Sequence, residues 1–98
     1  MTKHKEILEW ANAKGLLNPE IYPVQFMKVS EELGELASAI IKGERIKEID
    51  AFGDVMVTLY LLAEQRGVNL SKAIEIAYEV IKDRTGEMVN GSFIKDEI

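Results

Sequence analysis

Residues 22–42 read YPVQFMKVSEELGELASAIIK, and their spacing decides what kind of protein this is. At about 100° per residue, Tyr22, Phe26, Val29, Leu33, Leu36 and Ile40 fall on one stripe, within about 60° of its centre. That is the pattern of an amphipathic helix. Asn18-Pro19 supplies its start, an N-cap residue followed by proline at the first helical position. Pro23 delays or kinks that start. Gly43 supplies the stop after Lys42.

Working outward, a helix is expected from Ile46 or Lys47 to Arg66, stopped by Gly67. Asn69 can cap another, in which Leu70, Ala73, Ile74, Ala77, Tyr78 and Ile81 recur at i, i+3, i+4, i+7, i+8 and i+11. Upstream, residues 2–14 form a shorter helix with Ile7, Leu8, Trp10 and Ala11 on its apolar side and Gly15 at its end. After Arg84 the periodicity breaks. Gly86, Asn90 and Gly91 mark a turn-rich tail ending Phe93-Ile94-Lys95, with no β-alternation. Four helices joined by short loops predict an all-α, antiparallel four-helix bundle occupying residues 1–98 as one domain.

The segment Val55–Ala63, VMVTLYLLA, has Thr58 as its one polar residue. A helix that is apolar all round must be covered on every side, either as the central helix of a monomer or by a second subunit. A chain of 98 residues has little else to cover it with, so a homo-oligomer is expected, dimer or tetramer.

Composition narrows the chemistry. Apolar residues make up 47% and charged residues 30%, a folded composition. The absence of cysteine excludes disulfides, thiolate metal sites and cysteine nucleophiles, and a lone histidine, His4, argues against zinc sites and triads. Carboxylates remain, and these suit magnesium, manganese or calcium. A net charge of −5 argues against general nucleic-acid binding, which needs clustered Lys and Arg. No run approaches 18 apolar residues and no signal segment is evident, so a cytoplasmic protein without a membrane span is expected.

The carboxylates are arranged. On the helix of residues 22–42, Glu32 falls directly beside the apolar stripe, Glu35 and Lys28 come next, and Glu31 lies further out. The like-charge pairs Glu31/Glu35 (i, i+4) and Glu32/Glu35 (i, i+3) each cost about 0.2–0.5 kcal/mol even when solvated. A divalent cation would remove that penalty. On the next helix, Asp54 immediately precedes the apolar run, with Asp50 one turn earlier. Two such helices side by side could set Glu32 and Glu35 opposite Asp54, as carboxylate bundles do when they build metal sites. The plainer readings are a solvated glutamate pair and N-terminal-turn aspartates favoured by the helix dipole. Lys28 is a salt-bridge partner or a phosphate contact. Lys82 and Arg84 are phosphate contacts or dipole-favoured cations, and Trp10 is core or a stacking platform for a base.

Glu31-Glu32-Leu33-Gly34-Glu35-Leu36 is an EExxE motif followed by Leu, and Asp50-Ala51-Phe52-Gly53-Asp54-Val55 follows some fifteen residues later. With the tail segments Ile81-Lys82-Asp83-Arg84 and Val89-Asn90-Gly91-Ser92-Phe93, the pattern over residues 20–95 resembles the short, single-domain MazG-like all-α nucleoside triphosphate pyrophosphohydrolases of phages and bacteria. The resemblance implies magnesium, with manganese as an alternative, bridging Glu31, Glu32, Glu35 and Asp54 to a substrate triphosphate. It implies Glu32 and Glu35 as catalytic groups, and Lys28, Lys82, Arg84 and Asn90 as phosphate or nucleoside contacts. The product pair would be a nucleoside monophosphate and pyrophosphate, and in many members a second subunit completes the site. One departure stands out: the first acid of the family's ExxD is Ala51 here. Asp50 is adjacent in sequence but about 100° away on the wheel. Two functions are therefore expected as alternatives: a magnesium-dependent nucleoside triphosphate pyrophosphohydrolase, or a catalytically weak nucleotide- or metal-binding regulatory relative. A purely structural helical interaction module is the third.

Overall fold

The computed structural model describes residues 3–96. The helices are α1 (His4–Ala13), α2 (Tyr22–Lys42), α3 (Arg45–Gln65) and α4 (Leu70–Ile81), with a 3-10 turn at Pro19–Ile21 leading into α2. Thr2, the expected first residue of α1, lies outside the described residues. The punctuation acts as its chemistry requires. Asn18 Oδ1 accepts from the Glu20 amide at 2.9 Å, and Pro19 and Pro23 divide the entry into a 3-10 turn and then the α-helix proper. Gly43 takes φ +68°, which frees the amides of Gly43 and Glu44 to satisfy the carbonyls of Ile40 and Ala39. Gly67 does the same at the end of α3, and Asn69 Oδ1 caps α4 through the Lys72 amide at 3.0 Å.

Two corrections follow. The tail is not merely turn-rich: β1 (Gly86–Val89) and β2 (Ser92–Lys95) pair antiparallel, with Met88 opposite Phe93. Asn90 (φ +50°) and Gly91 (φ +83°) form the two-residue turn, since both central positions must take positive φ. Thr85 Oγ1 donates to Asp96 Oδ2 at 2.9 Å, closing the hairpin base. Nor does one chain close a compact four-helix bundle. The closely packed pair is the α2–α3 antiparallel hairpin; α1 packs on α3, and α4 touches α3 alone among the helices at backbone level. The radius of gyration is 16.5 Å, against about 13 Å for a compact chain of this length.

The packing between α2 and α3 also differs from the expected stripe. The side chains of α2 that turn inward are Gln25, Val29, Glu32, Leu36 and Ala39, spaced i, i+4, i+7, i+11 and i+14. Across from them Ala51 and Val55 are buried. Gln25 Nε2 donates to the Thr58 carbonyl at 3.1 Å, tying the two helices near their open end. Phe26, Leu33 and Ile40, expected inside, are exposed. The Val55–Ala63 run is covered better than they are: Val55, Tyr60 and Leu61 are buried and the rest half-buried. Tyr60 stacks on His4 of α1 with ring centroids 4.5 Å apart, and Gln65 Nε2 donates to the Leu16 carbonyl at 2.9 Å. Among the described residues no helix is long and apolar enough to cross a membrane.

Candidate active site

Glu32 sits in the α2–α3 seam, one turn from Val29 and one from Leu36, not at the stripe's edge. Its Oε2 is buried and has no hydrogen-bond partner. A carboxylate oxygen held this way is costly unless something outside the chain satisfies it. Burial is the main cause that pushes the Glu32 carboxyl above the ordinary carboxylate range; the neighbouring Glu35 carboxyl, then the charges of Asp54 and Glu31, push the same way. Asp54 is raised as well, first by burial and then by the negative charges of Asp50 and Glu35. Two helices therefore aim acids at a common region, and the region resists holding all of them ionised.

Beside Glu32 a cleft of about 360 Å³ opens between α2 and α3. Glu35, Ser38, Ala39 and Lys42 line it from α2; Lys47, Asp50, Ala51 and Asp54 line it from α3, with Glu44 at the turn. Glu35, Asp50 and Asp54 are thus brought to one wall system. Glu31 is exposed and does not line the cleft, although its charge reaches Glu32. Ala51 is buried and contributes only a methyl group where the acid pattern has its gap. As the side chains stand, no three acidic or imidazole groups among the described residues form a ready-made ion nest. The donor chemistry is nonetheless all-carboxylate, and the buried, unpartnered Glu32 oxygen is the atom a hard cation would satisfy.

The other expected contacts are dispersed. Lys28 is exposed and makes no ion pair among the described residues. Lys82 pairs with Glu79 at 2.6 Å on α4. Arg84 follows α4 and Asn90 forms the hairpin turn, on a part of the chain that does not approach α2. Trp10 lies on α1 beside Ile7 and Val57, at a shallow apolar groove away from the acids. Within one chain these residues are not brought to the cleft. The cations that do line it, Lys42 and Lys47, went unsingled in the sequence. The signal was present: Lys42 is i+7 from Glu35, and Lys47 is i+3 and i+7 from Asp50 and Asp54. Lys47 holds Glu44 at 2.8 Å; that hydrogen bond lowers the Glu44 carboxyl and raises the Lys47 ammonium.

Residues 18–80 match the phosphoribosyl-ATP pyrophosphohydrolase family, so the chain belongs to that family. It lies in the same all-α nucleoside triphosphate pyrophosphohydrolase superfamily as the MazG-like proteins. The match takes in both acid-bearing helices and stops short of Lys82, Arg84 and the hairpin. The chain is also similar to a protein of Haemophilus phage HP1, described as an uncharacterized 18.2 kDa protein in the rep-hol intergenic region, with 34% identity over 65 residues. That alignment covers 66% of this chain and 40% of the phage protein, so the chain spans well under two thirds of that relative's length. No solved structure matches the chain.

Proposed function

We propose that this protein is a magnesium-dependent nucleotide pyrophosphohydrolase of the short MazG-like type, cleaving (deoxy)nucleoside triphosphates to the monophosphate and pyrophosphate. The observation that carries the reading is the buried, unpartnered Glu32 carboxylate oxygen facing the Asp54 helix, inside a family of pyrophosphohydrolases. Glu32, Glu35 and Asp54 would hold the cation, with Glu31 on the rim and Asp50 the nearest substitute for the acid missing at Ala51. Magnesium or manganese, when bound, neutralises phosphate charge and lowers the pKa of a coordinated water. The chain's own part is to position. Glu32 is fixed by the seam, so it sets the depth of the site. Glu35 lines the open cleft and is placed to orient a water against the scissile phosphorus. Lys42 and Lys47 offer cations to the phosphate chain from within the cleft. Lys28, Lys82, Arg84, Asn90 and Trp10 belong to the binding surface only if substrate or a partner draws them in.

Ala51 favours a second reading, a weak or inactive relative that binds nucleotide and metal. One screen separates the two. Purified protein is incubated with magnesium and a panel of canonical and altered (deoxy)nucleoside triphosphates, phosphoribosyl-ATP included, and pyrophosphate release is measured. Turnover on at least one compound, abolished by Glu35→Gln, supports the enzyme. No turnover on any, with magnesium-dependent nucleotide binding, supports the second reading.

A further inference from the structure

The acid cleft has two unlike ends. The chain turns at Gly43, so residues similarly far from that turn stand across from one another on the antiparallel α2 and α3. Glu35 and Asp54 line the end away from the turn, and the Glu35 charge is one of the causes that raise the Asp54 carboxyl. Lys42 and Lys47 line the end at the turn. Between the ends the walls are low, with Ser38 and Ala39 on α2 and Ala51 on α3, beside Asp50. Seven residues of helix separate Glu35 from Lys42, and Asp54 from Lys47, about 10 Å along the cleft. An end that attracts cations and an end that attracts anions thus share one channel.

The basic end already holds an anion. Glu44 Oε2 accepts from Lys47 Nζ at 2.8 Å, and the Lys42 charge adds to the pull that lowers the Glu44 carboxyl. Both partners line the cleft yet reach water, with side chains 76% (Lys47) and 35% (Glu44) exposed. Exposed ion pairs contribute little to a fold, so this one is free to exchange. The other ion pair at the turn, Arg45 with Glu48 at 2.9 Å, does not line the cleft.

Granted the reading of the cleft as a nucleoside triphosphate site, on which this rests, we propose that its Gly43 end seats the terminal diphosphate of the substrate between Lys42 and Lys47. The Glu44 carboxylate occupies that seat while the cleft is empty. Charge and length both support this. A phosphate held at the acid end through a cation leaves two more beyond it, and about 10 Å of channel leads them to the two ammonium groups. An ammonium is a compact point charge with rotatable donors, suited to phosphate oxygens. A diphosphate carries more charge than one carboxylate, so it displaces Glu44 from Lys47. The short side chains of Ser38, Ala39 and Ala51 leave the passage open. The substrate therefore lies in one direction, with its nucleoside away from the turn. The number of phosphates is read at the lysine end, which a monophosphate held by the acids does not reach.

Inorganic pyrophosphate tests this without turnover. Its binding in the presence of magnesium is measured by titration calorimetry for the wild-type chain, Lys42→Gln, Lys47→Gln and Glu44→Gln. Lys5→Gln, at an exposed lysine of α1, controls for net charge. Each cleft lysine variant is expected to bind about tenfold or more weakly. Glu44→Gln is expected to bind about two- to fivefold more tightly, and Lys5→Gln as the wild type does. Equal affinity in the wild type and both cleft lysine variants, weaker binding by Glu44→Gln, or no pyrophosphate binding by the wild-type chain would overturn the proposal. The two readings fail separately. Turnover of a nucleoside triphosphate with lysine-independent pyrophosphate binding sinks the diphosphate seat and keeps the enzyme. Lysine-dependent pyrophosphate binding without turnover keeps the seat and favours the regulatory relative.

Discussion

Ala39 of α2 and Ala51 of α3, both buried, line the same acid-bordered cleft from opposite helices. Two methyl groups there leave room that a longer side chain would occupy, and one of them, Ala51, stands between Asp50 and Asp54 on the α3 wall. Ala51→Glu should therefore add a carboxylate to the Asp54 wall. Without metal it is expected to destabilise the fold by about 1–3 kcal/mol, the range for a buried polar group left unsatisfied. With magnesium it is expected to recover most of that loss and to bind the ion more tightly. Thermal melts across a magnesium titration check both halves.

Glu32→Gln separates stability from function. The amide keeps the shape and removes a charge that burial and three neighbouring acids oppose. The metal-free protein is expected to gain about 0.5–2 kcal/mol while its magnesium response and pyrophosphate release disappear. Urea melts and the release assay measure the two effects on the same preparation. A variant that loses stability instead would mean the Glu32 carboxylate is satisfied within the chain.

The pH dependence has a definite sign. Glu32 and Asp54 are both raised, so the folded chain holds their protons more tightly than the unfolded chain does. Their contribution favours the fold at acid pH and is lost as pH rises from the ordinary carboxylate range, about 4, through the raised folded values. The metal-free melting temperature is expected to fall over that interval. Magnesium competes with the same protons, so the stabilisation it brings should grow as pH rises. Paired melts with magnesium and with a chelator follow the two curves.

Gly86→Ala tests the hairpin. A Cβ at Gly86 would overlap the Ile94 carbonyl oxygen and stand 2.7 Å from Phe93 Cζ and 2.8 Å from Lys95 Cα, two of these three contacts being backbone. The strands are expected to separate, with loss of amide-exchange protection over residues 86–95 and little change in α2 and α3, which do not touch the hairpin. If pyrophosphate release also falls, the tail takes part in the site after all.

Much of this was readable from residues, and the failures share causes. Gly43, Gly67 and Asn69 announced the helix ends because each has one conformational task, a left-handed stop or a side-chain cap, that no distant contact alters. Asn90-Gly91 announced a turn just as clearly. Its strands escape the sequence because Gly86–Val89 and Ser92–Lys95 are too short to show alternation and are exposed throughout. The stripe of α2 was misplaced for another reason. Phe26, Leu33 and Ile40 are the more hydrophobic row, and a wheel centres on hydrophobicity, whereas Gln25, Val29, Glu32, Leu36 and Ala39 are the row that meets α3. The wheel consequently sets Glu32 beside the core, whereas the fold holds it half-buried in the α2–α3 seam. Glu35 stands out in the sequence through its repulsion with Glu31 and Glu32, and Asp54 through its place at the head of an apolar run, with Asp50 one turn earlier, each a cost that needs an explanation. Lys42 and Lys47 border the same cleft but incur no cost where they are, so nothing in the sequence drew attention to them.

The acid cleft draws every residue that lines it from α2, α3 and the short turn between them. Its walls therefore depend on the pairing of one continuous stretch of chain, and a change in α1, α4 or the hairpin can alter what surrounds the cleft without rebuilding it.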